Sequence, residues 1–236
     1  KGAQSKFEDI DIVVVRENTE GLYMGLEHYL TREKDVAESL AVVTRKGSER
    51  IIEYAFKYAK ENNRKKVTLC HKANILKYTS GLFLEVGREV ALRHPEIEFD
   101  EKIIDATCMH MVMDPHQFDV VVTTNMFGDI LSDLTAGLVG GLGLIPGANI
   151  GKDAALFEAV HGSAPDIEGK NLANPAAVIM AGVMMLHHLG ETKAANSIQT
   201  ALEKVIDESK LVTPDLNPQS TSGTIEMGDA IIAALV

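Results

Sequence analysis

Arg16-Glu-Asn-Thr-Glu-Gly-Leu-Tyr23 follows a short β-branched run, Asp11-Ile-Val-Val-Val15. Open α/β folds keep their chemistry in loops at the carboxyl ends of strands. An arginine there can grip a carboxylate with two parallel hydrogen bonds, and a tyrosine phenol can hand over a proton. Taken alone, the same residues also read as an ordinary ion-paired Arg and a half-buried Tyr. His71-Lys72-Ala-Asn74 follows a second strand-like segment, Val67 to Cys70. A lysine where a strand runs out into a crevice becomes a usable base if it is desolvated or set near other cations. By itself it reads equally as a surface lysine.

A third group is acidic. Asp129 and Asp133 stand four apart in Gly128-Asp-Ile-Leu-Ser-Asp-Leu134, so they share one face of a helix. Two like charges on adjacent turns repel unless a cation lies between them. Oxygen-only donors suit Mg²⁺ or Mn²⁺ rather than Zn²⁺. Asp105 is expected to end an apolar strand, where an unpaired carboxylate would be costly, and so is a candidate third ligand. The plainer reading makes Asp129 a helix-start acid and Asp133 part of a solvated face.

The fourth group is His161-Gly162-Ser163-Ala164-Pro165-Asp166-Ile167, followed by Asn174-Pro175. A small-residue loop lets backbone N–H groups approach a pyrophosphate, and a nearby helix N-terminus favours anions. Asp166 can accept hydrogen bonds from a ribose 2′-hydroxyl, and its charge would repel a 2′-phosphate. The alternative is a well-ordered turn. Gly141-Leu-Gly143-Leu-Ile-Pro146 is not a Rossmann fingerprint: Pro146 stands where the third glycine belongs, and the segment follows a helix.

The elements that must position these groups alternate. Strands are expected at 11–15, 67–70, 102–104 and 118–123, with a hairpin excursion over 22–43 around the charged Arg32-Glu-Lys-Asp35. Ser48 is expected to cap a helix that buries Ile51, Ile52, Ala55, Phe56 and Ala59. Further helices are expected over 81–93, stopped by Pro95, and over 128–139, ended by Gly140-Gly-Leu-Gly143. Asn174 caps a helix with Pro175 at its first position, running through Met184 to Gly190. Two amphipathic helices, 194–207 and 224–235, follow. There are no repeats, and the pattern is α/β.

Composition narrows the function. At 236 residues, 45% hydrophobic and 24% charged, the chain reads as a soluble globular protein with a real core. Its apolar runs are interrupted too often to supply the ~20 residues of a membrane helix. Lys1 to Lys6 is polar and runs straight into a strand-like segment, so no secretory signal is expected there. Cys70 and Cys108 read as buried free thiols in a reducing compartment. A net charge of −11 argues against nucleic acid or an anionic membrane surface as partner. An anionic substrate would then need a local cationic pocket.

The four groups have a joint order: RENTEGLYMGLEH, HKANILK, NMFGDILSDLTAGLVGGLGLIPGANIG and HGSAPDIEGKNLANP. In that order the chain resembles the isocitrate/3-isopropylmalate dehydrogenase family over essentially its whole length, ending in Met-Gly-Asp-Ala at 227–230. The opening Arg-Glu-Asn-Thr-Glu-Gly with a later Glu-His looks more like NAD-dependent isocitrate dehydrogenase. Isopropylmalate enzymes more often read Arg-Glu-Leu-Thr-Gly-Gly there. The resemblance implies the family's two-domain α/β fold: a small domain at 1–20 and 45–139, a clasp hairpin at 21–44, and the C-terminal part of a large domain at 140–236. The family's N-terminal part, with the residues that read the variable substrate arm, is expected to be absent, so residues 1–236 alone are not expected to turn over substrate.

By the same resemblance, Arg16 binds substrate carboxylate and Tyr23 donates the proton that ends turnover. Lys72 shares the acid–base work, and Asn74 lies beside it at the substrate and cofactor. Asp105, Asp129 and Asp133 hold Mg²⁺ or Mn²⁺, and residues 161–167 with Asn174 bind the adenosine end of NAD. NADP-linked relatives place Lys-Tyr where Asp166-Ile167 stands, and Tyr and Arg where Pro214 and Pro218 fall. In the family Lys72 and Asp105 reach into a neighbour's site, implying a homodimer or larger homo-oligomer. The expected location is the cytoplasm, or the mitochondrial matrix in a eukaryote. The rivals are a homoisocitrate or 3-isopropylmalate dehydrogenase, and a non-catalytic regulatory subunit, which should lack some of Tyr23, Lys72, Asp129 and Asp133.

Overall fold

The computed structural model describes residues 7–235, in two compact units. One spans Ile10–Thr135, and the other takes the chain from Ala136 onward together with residues 7–9. The first is built on a four-stranded sheet of order β1-β6-β4-β5: β1 (Val13–Arg16), β6 (Val120–Thr123), β4 (Lys66–His71) and β5 (Glu98–Ile103). All three pairings are parallel, so every strand delivers its carboxyl end to the same edge. The register aligns Arg16 with Thr123, Thr123 with Cys70, and His71 with Ile103. The sequence motifs of this unit follow directly from those strand ends.

Strand side chains alternate between faces, and the two faces are covered differently. Val67, Leu69, Val120 and Val122 pack on helices α1 (Arg45–Glu61) and α2 (Thr79–Ala91), through Ile52, Ala55, Phe56, Phe83, Val86 and Val90. On the other face, Cys70 Sγ lies 3.5 Å from Thr107 Oγ1 of helix α3 (Ile104–Met113). Burial there pushes the Cys70 thiol up to about 12, so it is an inert core group. Phe56 is fully buried and stacks on His94, with ring centres 4.9 Å apart. Phe56→Ala is expected to cost about 3–5 kcal/mol, read as a fall in the denaturant midpoint of this unit.

The connection from β1 to α1 carries an exposed antiparallel hairpin, β2 (Glu27–Tyr29) with β3 (Ala37–Ser39), whose tip holds Arg32 to Asp35. Its root is tied by the Gly21–Val42 bridge and by Glu20, whose carboxylate accepts from Thr44 N at 2.8 Å and Thr44 Oγ1 at 2.5 Å. Thr44, rather than Ser48, caps α1: its Oγ1 accepts from Gly47 N at 3.0 Å. Ser48 lies buried one turn in and donates to Thr44 O. Ser48 falls one turn late as a cap because the first turn, Arg45-Lys-Gly, is polar and carries no apolar period.

Helix α4 (Asn125–Leu138) leaves the end of β6 and stops before Gly140 and Gly141, whose φ values of 112° and 113° favour glycine. In the second unit, β7 (Pro146–Ile150) and β8 (Ala155–Ala159) form an antiparallel hairpin. It packs on α5 (Ala176–His188). Helices α6 (Thr192–Glu208) and α7 (Thr224–Ala234) complete that unit, around Leu202, Val205, Val212, Met227 and Ile231. No helix among the described residues is long and apolar enough to cross a membrane.

Candidate active site

At the shared strand edge, Arg16 is held from three sides. Its Nε and Nη2 donate to Asn125 Oδ1 at 3.0 and 2.8 Å, and its Nη1 donates to Asp129 Oδ1 at 2.6 Å. The guanidinium sits 5.4 Å from the centre of the Tyr23 ring. Tyr23 belongs to a short 3₁₀ turn, Leu22–Met24, between Gly21 and Gly25, both at positive φ. That turn brings the Tyr23 hydroxyl to Asp129 Oδ2, donating at 2.5 Å.

Asp129 therefore receives one donor on each oxygen. The Tyr23 hydrogen bond and then the Arg16 charge hold its carboxyl below the usual range. The same bond pushes the Tyr23 phenol up, so Tyr23 keeps its proton at neutral pH and is available as a donor. Asp133, one turn further along α4, is exposed and has no hydrogen bond or ion pair among the described residues.

Lys72 follows β4 and points the other way, to Asp105 Oδ1 at 2.5 Å. Asp105 does not end an apolar strand. It stands in the first turn of α3 with its side chain 70% exposed, and the Lys72 hydrogen bond lowers its pKa. The helix was hidden because Ile104–Met113 is short and apolar on most sides. His71 is buried, which lowers its pKa, and its Nδ1 accepts the Ala73 N–H at 3.0 Å. That neutral imidazole shapes the turn carrying Lys72 and Asn74. Asn74 itself is exposed, with no hydrogen bond to another described residue.

β1 and β5 are the two outer strands of the sheet, three spacings or about 14 Å apart. This is why Asp105 is not beside Asp129 and Asp133 within one chain. Among the described residues no three His, Cys, Asp or Glu side chains gather to hold a metal ion. The pair on α4 still fits Mg²⁺ or Mn²⁺, which take oxygen donors and use one or two carboxylates plus substrate and water. Asp133 has no bonded partner among the described residues, and each Asp129 oxygen, accepting one hydrogen bond, keeps a second lone pair for such an ion.

The second unit holds the other group of candidates by itself. Ala164 adopts φ 45° and leads into a 3₁₀ turn, Pro165–Ile167. His161 Nδ1 lies 3.0 Å from Gly162 O. Gly162, Ser163 and Asp166 are exposed, and Asp166 has no hydrogen bond or ion pair among the described residues. Asn174 Oδ1 accepts from Ala176 N at 2.9 Å, capping α5 across Pro175, and its Nδ2 donates to Asp215 Oδ2 at 2.9 Å. Sequence reasoning missed Asp215, Asn125 and Gly128. Starting α4 at Gly128 left Asn125 outside the helix, although 125, 128, 129 and 133 fall on one face.

Comparison with known proteins agrees with this architecture. The family model described as isocitrate/isopropylmalate dehydrogenase matches residues 2–231. A 3-isopropylmalate dehydrogenase of Archaeoglobus fulgidus is 56% identical over 216 residues, 92% of this chain and 65% of that protein. A mitochondrial NAD isocitrate dehydrogenase catalytic subunit of Arabidopsis thaliana is 54% identical over 222 residues, 94% of this chain and 59% of that protein. The chain thus spans about three-fifths of the length of these relatives. The crystal structure of isocitrate dehydrogenase from Methylococcus capsulatus superposes with a TM-score of 0.97 at 63% identity, over 99% of this chain and 70% of that one. With strand order, helix order and motif order all accounted for by one family, the chain belongs to the isocitrate/isopropylmalate dehydrogenases.

Proposed function

We propose that this chain carries the metal-binding and acid–base machinery of an NAD-dependent enzyme that oxidatively decarboxylates isocitrate to 2-oxoglutarate. The observation that carries the reading is Asp129, gripped by Arg16 and Tyr23, while Asp133 one turn away has no partner among the described residues. Arg16 is the cation that an acidic protein needs to receive an anionic substrate, and its carboxylate partner can exchange for a substrate carboxylate. Tyr23 retains its proton until carbon requires it. Lys72, paired with Asp105, manages the hydroxyl proton as hydride passes to NAD⁺. Asn74 lies on the turn beside it. What Mg²⁺ or Mn²⁺ supplies when bound by Asp129, Asp133 and a neighbour's Asp105 is Lewis acidity toward the substrate oxygen. Residues 161–167 and Asn174 hold the adenosine end of NAD, with Asp166 at the ribose.

The domain reading goes with this: 1–20 and 45–139 as the small domain, 21–44 as a clasp, and 140–236 as the C-terminal part of the large one. The active form is a homodimer or larger homo-oligomer with shared sites. Its thiols fit a reducing compartment, the cytoplasm or mitochondrial matrix. The Archaeoglobus relative favours a second reading, 3-isopropylmalate as substrate. Turnover of isocitrate, homoisocitrate and 3-isopropylmalate by the intact protein tests the proposal, with isocitrate expected fastest. Preference for either other acid overturns the substrate, and no NAD reduction on any of them favours a regulatory subunit.

The metal assignment has its own check. Asp133→Asn keeps the shape of the side chain and removes its charge. Mn²⁺ affinity by calorimetric titration is expected to fall at least about tenfold, since even outer-shell partners of a metal are worth that much. An unchanged titration would leave Asp133 as a solvated helix face.

A further inference from the structure

The α4 face that meets the end of β1 is shaped around one side chain. Asn125 is 3% exposed, and its Oδ1 accepts from both Nε and Nη2 of Arg16 at 3.0 and 2.8 Å. Its Nδ2 donates to Glu20 O at 3.0 Å. The amide has one orientation that works. Turned over, it would set donor against guanidinium and acceptor against carbonyl. Glu20 in turn holds Thr44, the cap of α1, so the amide is anchored to the hairpin root as well.

Gly128, one turn along, makes room. A Cβ there would stand 2.5 Å from Arg16 Cγ and 2.7 Å from Arg16 Cβ. Those atoms are the root of the side chain: Cβ is held by β1 and Cγ moves only by turning about the first side-chain bond, so a methyl at 128 must push Arg16 off its present course. A guanidinium offers two bidentate edges, a side edge of Nε and Nη2 and an end edge of Nη1 and Nη2. Asn125 closes the side edge. Only the end edge, now turned to Asp129, remains to meet a carboxylate.

We propose that Asn125 and Gly128 are positioning residues that aim Arg16 so that an acid substrate is received end-on. The inference rests on the carboxylate-binding role given to Arg16 above. Asn125 acts through Arg16 and touches nothing bound. Removing it should loosen the aim without disturbing cofactor binding.

The test is calorimetric affinity for isocitrate in the intact protein, with Mg²⁺ present, for Arg16→Ala, Asn125→Ala and the pair together. Asn125→Ala is expected to weaken the acid about tenfold, the scale of one charge-assisted hydrogen bond, with NAD affinity unmoved. Added to Arg16→Ala it should weaken binding no further. Gly128→Ala leaves Asn125 in place, displaces the same side chain, and should weaken the acid likewise, which covers a misfolded Asn125 variant. Given a loss in Arg16→Ala, an Asn125→Ala loss that persists undiminished in the double variant overturns the proposal, as does no loss in Asn125→Ala. If Arg16→Ala binds the acid like the parent, it is the carboxylate role that falls. Solvent exchange of the Arg16 Nε–H by NMR then decides: faster exchange in Asn125→Ala upholds positioning, and unchanged exchange overturns it.

Discussion

Lys72→Met and Tyr23→Phe, each made in the intact protein, are expected to abolish nearly all activity alone and to recover about a quarter of it when refolded together. The physical ground is the strand order. Tyr23 and Asp129 lie at the β1–β6 end of the sheet edge, whereas Lys72 turns toward Asp105 at the β5 end. Within one chain Tyr23 and Lys72, the two residues proposed for the acid–base work, face apart. Asp105 is 70% exposed, as a residue reaching a second copy must be before assembly. A two-fold interface would make the exchange reciprocal, each copy lending Lys72 and Asp105 to the other. A hybrid dimer then collects both lesions in one site and leaves the other intact. Random mixing makes about half the dimers hybrid, each with one working site of two, hence the quarter. Native mass spectrometry confirms that hybrids form. Activity no higher than the mean of the separate variants, with hybrids present, would show that each chain keeps its own site.

The parts of this arrangement legible in the sequence are those carried by local pattern. The β-branched run before Arg16, the apolar face of α1 and the four-residue spacing of Asp129 and Asp133 each reflect a period that a short window reveals. What the pattern could not carry was long-range. Asp105 looked like a strand end because nothing local marks Ile104 as the start of a helix. Its partner, Lys72, is 33 residues away. Asn125 carries no local signal because its meaning lies in Arg16, 109 residues earlier. The hairpin β7–β8 escaped notice for another reason: Pro146 and Gly147 at its start are poor strand formers, and its pairing rather than its composition makes it a strand.

Cofactor choice gives the other large effect. Asp166→Lys with Ile167→Tyr is expected to raise the ratio of kcat/KM for NADP over NAD by roughly a hundredfold. The turn that carries both residues is exposed at Asp166, so a longer cationic side chain meets no core. Asp166 also has no bonded partner among the described residues, so its loss leaves no group stranded. The change removes a repulsion at the 2′-position and adds a charged hydrogen-bond donor. A charge-assisted bond is worth about 1.5–3 kcal/mol, and about 1.4 kcal/mol is tenfold in the ratio. The rest of the pocket should not move. Asn174 stays fixed by Ala176 N and by Asp215, which follows Pro214, one of the two prolines that stand where NADP-linked relatives are expected to carry Tyr and Arg. Because those prolines offer no phosphate contact, the switch should be incomplete, with KM for NADP still above that for NAD in the parent protein. The measurement is the pair of kcat/KM values at saturating acid and metal. A ratio that stays where it was would mean that Asp166 does not read the ribose, and the assignment to NAD would lose its physical support.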